Sequence, residues 1–501
     1  MDKIHATESS LLADALSAGG HHLPMPCRGR HTCGKCGVYV AGDVEPADST
    51  EADLLERSSQ PPLPGYTYRL ACLARINGDV AVIASSVSGV VVADVGMDLI
   101  AYDGPAPDSY GCAIDVGTTT VTVLVFRLGD NELLADASQL NHQAVHGSDV
   151  LSRIDAANQL GVKPLQRLIL DQLAAMLVDA LNRAGVDATD VTRLTITGNT
   201  TMLHLLTGRA VRSLGVFPFT PGTLFGYTQP AGTFFEFLPN AELYLPPGIS
   251  TYVGPDIVCG LLATGLGLHG KSELLVDVGT NGEMVCAAGG SVWCCSTAAG
   301  PAFEGAEISA GMPALPGAID DVWVEDGVIG FTTIGHKRPK GICGTGLISA
   351  INSYLDTGVI DETGFMDGTE VEVGSSRITI TQADVRKLQL AKAAIAAGID
   401  TLLHEAGLDA DRLDTLHLAG GFGSYLQALP AAGIGMIPRA LVEKANPAGN
   451  TALTGAVLLT LSSAARASAE ERAANAREVE LATHPIFMDR YIENMAFRDE
   501  E

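Results

Sequence analysis

Four cysteines have types and spacing that could hold a metal cluster. Three of them, Cys27, Cys33 and Cys36, lie in the segment CRGRHTCGKCG, whose glycines allow the backbone to wrap closely around inorganic sulfide. The fourth, Cys72, lies in GYTYRLACLARINGDVAV, which reads as a strand. We therefore predict that these four thiolates hold a [2Fe-2S] cluster. A structural zinc site is the alternative, although zinc sites usually pair two Cys-x2-Cys knuckles and the sequence contains one.

Two further segments have the composition of phosphate-binding turns. Each is an apolar run ending in Asp-x-Gly-Thr, first from Asp115 and again, 162 residues later, from Asp277. A turn at glycine exposes amides and hydroxyls that can bind phosphate oxygens, and the aspartate can order Mg²⁺ or its waters. A third glycine turn, LAGGFG at 418–423, follows another apolar run and could let an adenosine lie flat against the backbone. This repetition predicts two related halves in one fold.

One tempting motif is rejected. Residues 265–272 match the Walker A pattern, but they follow the helical run DIVCGLLATGL and precede the strand ELLVDVG. A working P-loop follows a strand and opens a helix, which is the reverse order. His204, in the helical segment TMLHLL, is likewise expected to be a core or helix-face residue rather than a metal ligand.

The elements that must position these residues divide the chain into two parts. The cysteine spacing resembles that of adrenodoxin-like ferredoxins, and we predict a small α+β ferredoxin-like [2Fe-2S] domain over residues 1–92. It should contain a helix capped by Ser9 or Ser10 and an acidic surface excursion from Glu45 to Pro64. A Pro/Asp/Gly linker is expected over 93–110. From 111 to 501, strand-rich and helical stretches alternate, which is typical of an α/β domain.

Composition excludes several classes of function. The net charge of −27 disfavours nucleic-acid binding, which needs a basic face. The N-terminus is polar, and no apolar run approaches the roughly 18 residues of a membrane span, so we expect a cytoplasmic protein without a membrane anchor. The six remaining cysteines are expected to be buried reduced thiols. A second cluster shared across a dimer is the alternative for these six residues: Cys112, Cys259, Cys286, Cys294, Cys295 and Cys343.

The three glycine turns resemble those of the acetate and sugar kinase, Hsp70 and actin superfamily. More narrowly, the chain resembles the reductive activators of corrinoid-dependent enzymes. This narrower resemblance covers nearly the whole chain, and it includes the ferredoxin-like front end. It also rests on NHQ (141–143), GSDVLSRI (147–154), GNT (198–200), GPAFEGAEISAGM (300–312), GICGTG (341–346) and the tail HPIFMDRYIENMAF (484–497).

The resemblance implies a two-lobed α/β, duplicated RNase H-like ATPase domain and a defined activity. That activity is ATP-dependent transfer of one electron from a [2Fe-2S] cluster to Co(II) in the corrinoid protein of a methyltransferase system, giving Co(I). A low-potential electron donor is implied, and a homodimer is left open. Asp115 and Asp277 would organise Mg²⁺ and the attacking water. Glu283 is a second candidate for positioning that water. The implied nucleotide-binding set is Gly117, Thr118, Thr119, Gly279, Thr280, Asn281, Gly282, Gly344, Thr345, Gly420, Gly421 and Gly423.

Two departures and two alternatives accompany this resemblance. Typical members begin with a β-hairpin, whereas this chain is expected to start almost directly at a helix. Many members also carry an extra domain before the ATPase, whereas here the linker leads straight into it. A small-molecule kinase regulated by an iron–sulfur domain is one alternative function. An activator of another low-potential enzyme is the second, and a plain electron carrier is disfavoured because both Asp-x-Gly-Thr turns are intact.

Overall fold

The computed structural model describes residues 2–4, 10–18, 36–56, 65–84, 101–104, 106–147, 149–268, 270–305, 307–420 and 426–497. Cys27, Cys33, Gly421 and Gly423 lie outside these ranges, as does much of the predicted linker. The chain divides into two compact units, Met1–Val90 and Val91–Glu501.

The first unit is built around one antiparallel sheet. Its elements are β1 (Asp2–Ile4), β2 (Ser10–Leu11), α1 (Leu12–Ala18), β3 (Gly37–Val44), α2 (Ser49–Glu56), β4 (Thr67–Leu70) and β5 (Arg75–Ala84). The strand order is β1-β5-β3-β4, and β2 also pairs with β5. Leu12, Leu16, Val38 and Leu70 are buried in its core. The predicted α+β ferredoxin-like domain is confirmed.

The start of the chain differs from the expectation. A strand, β1, precedes the helix and pairs with β5, with Asp2 opposite Val82. The helix begins at Leu12, two residues after Ser10, because Ser10 and Leu11 pair with Ile76 and Arg75 of β5 instead of capping the helix directly. The expectation that the chain starts almost directly at a helix is therefore wrong.

The acidic stretch after β3 is also more than a surface excursion. It contains α2, whose Glu51 is buried and accepts hydrogen bonds from Arg69 Nε at 2.9 Å and Nη2 at 2.6 Å. The main-chain N–H of Leu70 donates to the same carboxylate at 2.8 Å. A buried carboxylate satisfied in this way ties α2 to β4.

The second unit contains two six-stranded sheets that share a five-stranded topology. The strands of the first are β6 (Tyr110–Val116), β7 (Thr120–Arg127), β8 (Leu133–Leu140), β9 (Val191–Gly198), β10 (Tyr227–Pro230) and β11 (Glu242–Leu245). Those of the second are β12 (Glu273–Val278), β13 (Gly282–Ala288), β14 (Ser291–Thr297), β20 (Thr415–Ala419), β21 (Ala445–Gly449) and β22 (Arg477–Glu478), numbered in chain order. The orders are β10-β11-β9-β6-β7-β8 and β21-β20-β12-β13-β14-β22.

Five strands of each sheet correspond, and the sixth strands differ, since β10 pairs antiparallel with β11 whereas β22 pairs parallel with β14 at the opposite edge. In each, three consecutive antiparallel strands are joined on one side by two strands parallel to the first of them. Asp115 and Asp277 are both the last residue but one of that first strand. The predicted duplicated, two-lobed α/β fold is confirmed. Two smaller sheets belong to the second half: β15 (Ala318–Glu325), β16 (Val328–Thr333) and β17 (Gly341–Ile342) in one, and β18 (Glu370–Glu372) and β19 (Thr379–Thr381) in the other.

Helices cover these sheets and bury their apolar faces. They are α3 (Val150–Leu160), α4 (Val162–Ala184), α5 (Thr200–Leu206), α6 (Pro255–Thr264), α7 (Gly344–Asp356), α8 (Gln382–Ala406), α9 (Ala428–Gly433), α10 (Thr451–Leu461), α11 (Ser463–Asn475) and α12 (Phe487–Glu493). The long helix α4 packs on β7 and β8, and α8 packs on β13 and β14.

Helices α6 and α10 occupy corresponding places, since each follows the last parallel strand of its half. They pack against each other at glycines. A Cβ at Gly455 would lie 2.2 Å from the carbonyl oxygen of Cys259, and one at Gly260 would lie 3.1 Å from Thr451 Oγ1. The two helices therefore approach to backbone contact.

Several local expectations can be checked directly. The Walker-like string runs from Gly265, which ends α6 in the left-handed conformation, to the residue before β12, as expected. His204 is buried in α5, with Nδ1 2.7 Å from the carbonyl oxygen of Thr200. All six cysteines outside the cluster set are buried. Within the described ranges, every helix is too short or too polar to cross a membrane.

Candidate functional site

Cys36 and Cys72 are brought together by strand pairing. Cys36 immediately precedes β3 and Cys72 follows β4, while Gly37 pairs with Leu70 across the two strands. Their sulfur atoms lie 3.1 Å apart and are almost fully buried. The N–H of Cys72 points to Cys36 Sγ at 3.5 Å, as a donor that would stabilise a thiolate. Two thiols this close can contact one iron ion, so the described half of the predicted ligand set fits a cluster.

The first Asp-x-Gly-Thr turn joins β6 to β7 and is held from outside. Gly117 leaves no room for a side chain, because a Cβ there would lie 2.6 Å from the carbonyl oxygen of Thr120. Asn141 Nδ2 donates to the Gly117 carbonyl at 2.8 Å. Asn199, which caps α5, donates from Nδ2 to Thr118 Oγ1 at 3.0 Å. These contacts fix the turn before any ligand binds.

Arg153 supports the same turn from beneath. Its side chain is fully buried, and it donates from Nη2 to the Thr118 carbonyl and from Nε to the Gly147 carbonyl at 3.0 Å. Burial lowers the pKa of the guanidinium to about 10, and the nearby charges of Asp149 and Glu304 oppose that shift. Arg153 therefore stays a cation at neutral pH.

The second turn joins β12 to β13 in the same manner. The N–H of Gly279 donates to the Asn281 carbonyl at 3.0 Å, and the N–H of Gly300 donates to the Thr280 carbonyl at 2.9 Å. Gly282 opens β13 and is buried.

One carboxylate connects the two turns. Thr119 Oγ1 donates to Glu304 Oε2 at 2.7 Å, and Thr280 Oγ1 donates to Glu304 Oε1 at 2.9 Å. Glu304 ends the short 3-10 helix Pro301–Glu304, which follows β14. The hydroxyls predicted to bind phosphate from the two halves are therefore separated by the span of a single carboxylate.

Four carboxyl groups share the charge of the site. Burial raises the pKa of Asp115 to about 6, although a hydrogen bond from Asn450 opposes the shift. Burial, with repulsion from Asp115, raises the pKa of Asp277 to about 7. Asp256, in the first turn of α6, has its pKa raised to about 8 by burial and by the charges of Asp115 and Asp277. The pKa of Glu283 is raised well above its ordinary value by burial and by Asp256 and Asp277.

Such mutual repulsion favours a bound cation, whose charge would lower all four pKa values. Nevertheless, in the described residues no three His, Cys, Asp or Glu side chains form a ready-made metal cage. Mg²⁺ usually keeps several waters and takes one or two protein carboxylates together with phosphate oxygens. The four carboxyls fit that kind of open site.

The remaining predicted nucleotide residues are placed less uniformly. Gly420 follows β20 with φ of 92°, and a Cβ there would lie 2.5 Å from Asp277 Oδ1. Only glycine can occupy this position beside the second turn. Gly344 begins α7, and the hydroxyl of Thr345 donates to the Asp320 carbonyl at 2.9 Å. That hydroxyl supports the fold rather than pointing to either Asp-x-Gly-Thr turn.

Three family profiles match consecutive parts of the chain. Residues 3–77 match the 2Fe-2S iron-sulfur cluster binding domain, 110–269 match the RACo middle region, and 271–501 match the C-terminal domain of RACo, the ASKHA domain. The last two meet between α6 and β12, where the first half of the second unit gives way to the second.

Named relatives agree with these profiles. The corrinoid activation enzyme RamQ of Eubacterium limosum is 29% identical over 99% of this chain and 98% of its own length. The [Co(II) methylated amine-specific corrinoid protein] reductase of Methanosarcina barkeri is 29% identical over 70% of each chain. A solved structure of a reductive activator for corrinoid, iron-sulfur protein has a TM-score of 0.72 at 28% identity, covering 98% of this chain and 96% of that chain.

Two consecutive RACo profiles together extend from residue 110 to residue 501, and over nearly its whole length this chain is similar to the reductive activators of corrinoid proteins. An iron–sulfur domain precedes the ASKHA domain in this chain. The enzyme class of its relatives is that of corrinoid-reducing activators.

Four side chains of the candidate nucleotide site were not predicted from the sequence. Asp256 and Asn450 follow the last parallel strand of their halves, and this symmetry could have found them once the repeat was recognised. Glu304 and Arg153 lie in segments that carried the family resemblance, but no local pattern indicates that they contact the turns.

Proposed function

We propose that this protein reactivates corrinoid proteins by ATP-dependent one-electron reduction, converting Co(II) to Co(I) in a methyltransferase system. The observation that carries the proposal is the presence of a cysteine-lined cluster site and a duplicated nucleotide clamp in one chain. One relative is named as the reductase of a Co(II) methylated amine-specific corrinoid protein and another as a corrinoid activation enzyme. The match to the second relative extends over nearly its full length.

The cysteines define the electron-transfer half. Cys27, Cys33, Cys36 and Cys72 would hold the [2Fe-2S] cluster, which supplies a one-electron carrier when bound. The adjacent sulfurs of Cys36 and Cys72, and the N–H aimed at Cys36, support this assignment. A low-potential donor would reload the carrier after each transfer. Thiol ligands of this kind persist in a reducing compartment, so we place the activity in the cytoplasm.

The two turns define the nucleotide half. We assign Mg²⁺ and the attacking water to Asp115 and Asp277, with Glu283 and Asp256 completing the charge of the site. The turns at Gly117–Thr119 and Gly279–Gly282 would take the phosphates, and the 420–423 turn would border the nucleoside. Their support is the convergence of the Thr119 and Thr280 hydroxyls on one carboxylate.

The reduction potentials explain why the electron transfer would be coupled to ATP. Plant-type [2Fe-2S] clusters have potentials near −400 mV, and reduction of a Co(II) corrinoid is harder still. An uphill electron transfer therefore needs energy or a change in the acceptor's cobalt ligation. Closure of the two halves around ATP would favour one state of the bound corrinoid protein, and hydrolysis would reset it.

The proposal is tested by anaerobic assay of Co(I) formation, followed by its absorbance, with corrinoid proteins from the same organism. Co(I) should require both a low-potential donor and hydrolysable ATP, and ATP turnover should rise when the Co(II) protein is added. Removal of residues 1–92 should abolish reduction and spare basal turnover. If ATP consumption instead yields a phosphorylated small molecule and ignores every corrinoid protein, the kinase alternative is correct.

A further inference from the structure

Glu304 occupies the place between the two phosphate turns where an anion is expected to bind. Its two carboxylate oxygens each accept a hydroxyl hydrogen bond, one from Thr119 in the first half and one from Thr280 in the second. A phosphoryl group would offer the same turns a pair of oxygens on one anionic centre. The side chain thus stands in for the ligand that these turns are proposed to bind.

The hydrogen bonds are mutually exclusive with phosphate binding by the same hydroxyls. A threonine hydroxyl has one proton to donate. In this structure both protons are donated to Glu304, so neither hydroxyl can donate to a phosphate oxygen until the carboxylate leaves. A carboxylate beside a bound triphosphate would also be repelled by it.

Contacts within the second half hold the main chain next to Glu304, so rotation of the side chain can release both hydroxyls without a change in the backbone. Phe303 is buried in the core of the second half, and the N–H of Gly300 is bonded to the Thr280 carbonyl at 2.9 Å. On the other side, a Cβ at Gly305 would lie 2.6 Å from the Met312 carbonyl oxygen. Glu304 itself is half-buried and therefore has access to solvent.

A cation balances the carboxylate when it is in place. The Arg153 guanidinium, bound to the Thr118 carbonyl, attracts Glu304 across the first turn. The buried arginine therefore offsets the charge of this one carboxylate.

We infer that Glu304 is a resident anion of the nucleotide site, which must release Thr119 and Thr280 before the phosphates bind. It is therefore a positioning residue that sets nucleotide affinity. This inference rests on the proposed function insofar as the ligand is ATP or ADP. Glu304 also joins the two halves when the site is empty, since its hydrogen bonds reach one threonine from each.

The decisive variant is Glu304→Gln, which keeps the shape and removes the charge. Hydrogen bonds to charged groups contribute roughly 1.5–3 kcal/mol against about 1 kcal/mol for neutral ones, and every 1.4 kcal/mol is tenfold in affinity. We expect the dissociation constants of ADP and ATP, measured by calorimetry with and without Mg²⁺, to fall about tenfold. The KM for ATP should fall in parallel, while kcat stays within a few-fold.

Two further variants make the test specific. Glu304→Asp keeps the charge, but its side chain is one methylene shorter, so its carboxylate cannot reach both hydroxyls. Because the negative charge remains near the phosphates, nucleotide binding should tighten by less than in Glu304→Gln. Glu307→Gln removes an exposed charge from the same segment and should leave nucleotide affinity unchanged. Thermal melting of each variant verifies that the fold is intact.

The outcomes separate this inference from the proposed function. If the wild type binds nucleotide and Glu304→Gln binds it equally or more weakly, the resident-anion inference is overturned and the proposed function stands. In particular, weakening seen only with Mg²⁺ would make Glu304 a metal-holding carboxylate. If Glu304→Gln binds more tightly but no corrinoid protein is reduced, the inference stands and the proposed function fails. Absence of nucleotide binding in both proteins overturns both.

Discussion

Asn450 and Asp115 are 335 residues apart in the chain and are joined by a hydrogen bond of 2.9 Å from Nδ2 to Oδ2. The same asparagine caps α10, since its Oδ1 accepts from the N–H of Leu453 at 2.9 Å. One side chain therefore starts a helix in the second half and donates to the aspartate at the centre of the first. This contact stabilises the charged form of Asp115 against its burial.

Two variants of Asn450 should separate its two roles. Asn450→Ala removes the cap, which should cost about 1 kcal/mol of stability at any pH. It also removes the hydrogen bond to Asp115, so its cost should increase above about pH 6, where Asp115 is charged. Asn450→Asp keeps a capping oxygen but places a carboxylate against Asp115, so its destabilisation should be small at pH 5 and larger at pH 8. Thermal melting at the two pH values measures both effects. If Asn450→Asp loses the same stability at both pH values, the contact between position 450 and Asp115 is contradicted.

Asp277 should make the ligand-free protein less stable as pH rises. Its pKa is about 7 in the folded protein and 3.8 ordinarily. Below pH 3.8, Asp277 is protonated in both the folded and the unfolded protein. Above about pH 7, folding must bury its charge near Asp115, so the free energy of unfolding falls between these two pH values. Asp277→Asn should melt at a higher temperature than the wild type at pH 8, with the difference shrinking toward pH 4. An equal difference at every pH would refute the assigned charge repulsion.

The nucleotide assignment predicts a loss of turnover without loss of the cluster. Asp115→Asn and Asp277→Asn should each reduce ATP hydrolysis by orders of magnitude, because neither amide can replace a carboxylate toward Mg²⁺. Their visible spectra should match that of the wild type. Lys271→Ala is the control, since the Walker-like string lies between α6 and β12 and should barely matter. The assignment is wrong if Lys271→Ala abolishes turnover and Asp277→Asn does not.

The cluster assignment predicts a specific metal content. Anaerobically purified protein should contain about two iron and two sulfide per chain and bleach on reduction. Cys36→Ser and Cys72→Ser should each remove or severely destabilise the cluster. Cys112→Ser, at a buried cysteine in β6, should keep it. Stoichiometric zinc without sulfide, in protein made with ample iron, would favour the zinc alternative.

The pair formed by Glu51 and Arg69 should be essential to the first unit. Their side chains are 1% and 5% exposed, so Glu51→Ala would leave a buried guanidinium without its partner. Breaking such a pair costs about 3–5 kcal/mol. We expect the cluster to be lost at a lower temperature in Glu51→Ala. Asp53→Ala, at an exposed position of the same helix α2, is the matched variant and should melt close to the wild type.

The sequence permits prediction of the features that are encoded locally. Asp115 and Asp277 end two similar apolar runs, and their turns, strands and duplicated halves follow from that repetition. The cysteine spacing similarly indicates the cluster, and the order of helix and strand around Gly265 excludes a P-loop.

Contacts made across the fold could not be predicted in the same way. Asn450 looks like an ordinary helix cap until the two sheets place it beside Asp115. Glu51 lies in an acidic stretch that reads as surface, and only its pairing with Arg69 explains its burial. Glu304 contacts two turns that are far from it and from each other in the chain, so no periodicity reports its position.

The glycine contact between α6 and α10 is a pivot point between the two halves of the second unit. At Gly455 the helices touch through main-chain atoms, and the buried side chains of Val258, Leu262, Leu458 and Leu459 cluster along the same two helices. A rotation of one half against the other about this contact would move the main chain least here, and displacements would grow with distance from it. Asp256 and Asn450 lie at the starts of these two helices, so even a small swing would change the spacing of the carboxylates. Gly455→Ala would push the two helices apart at this contact and would therefore change the site without contacting it.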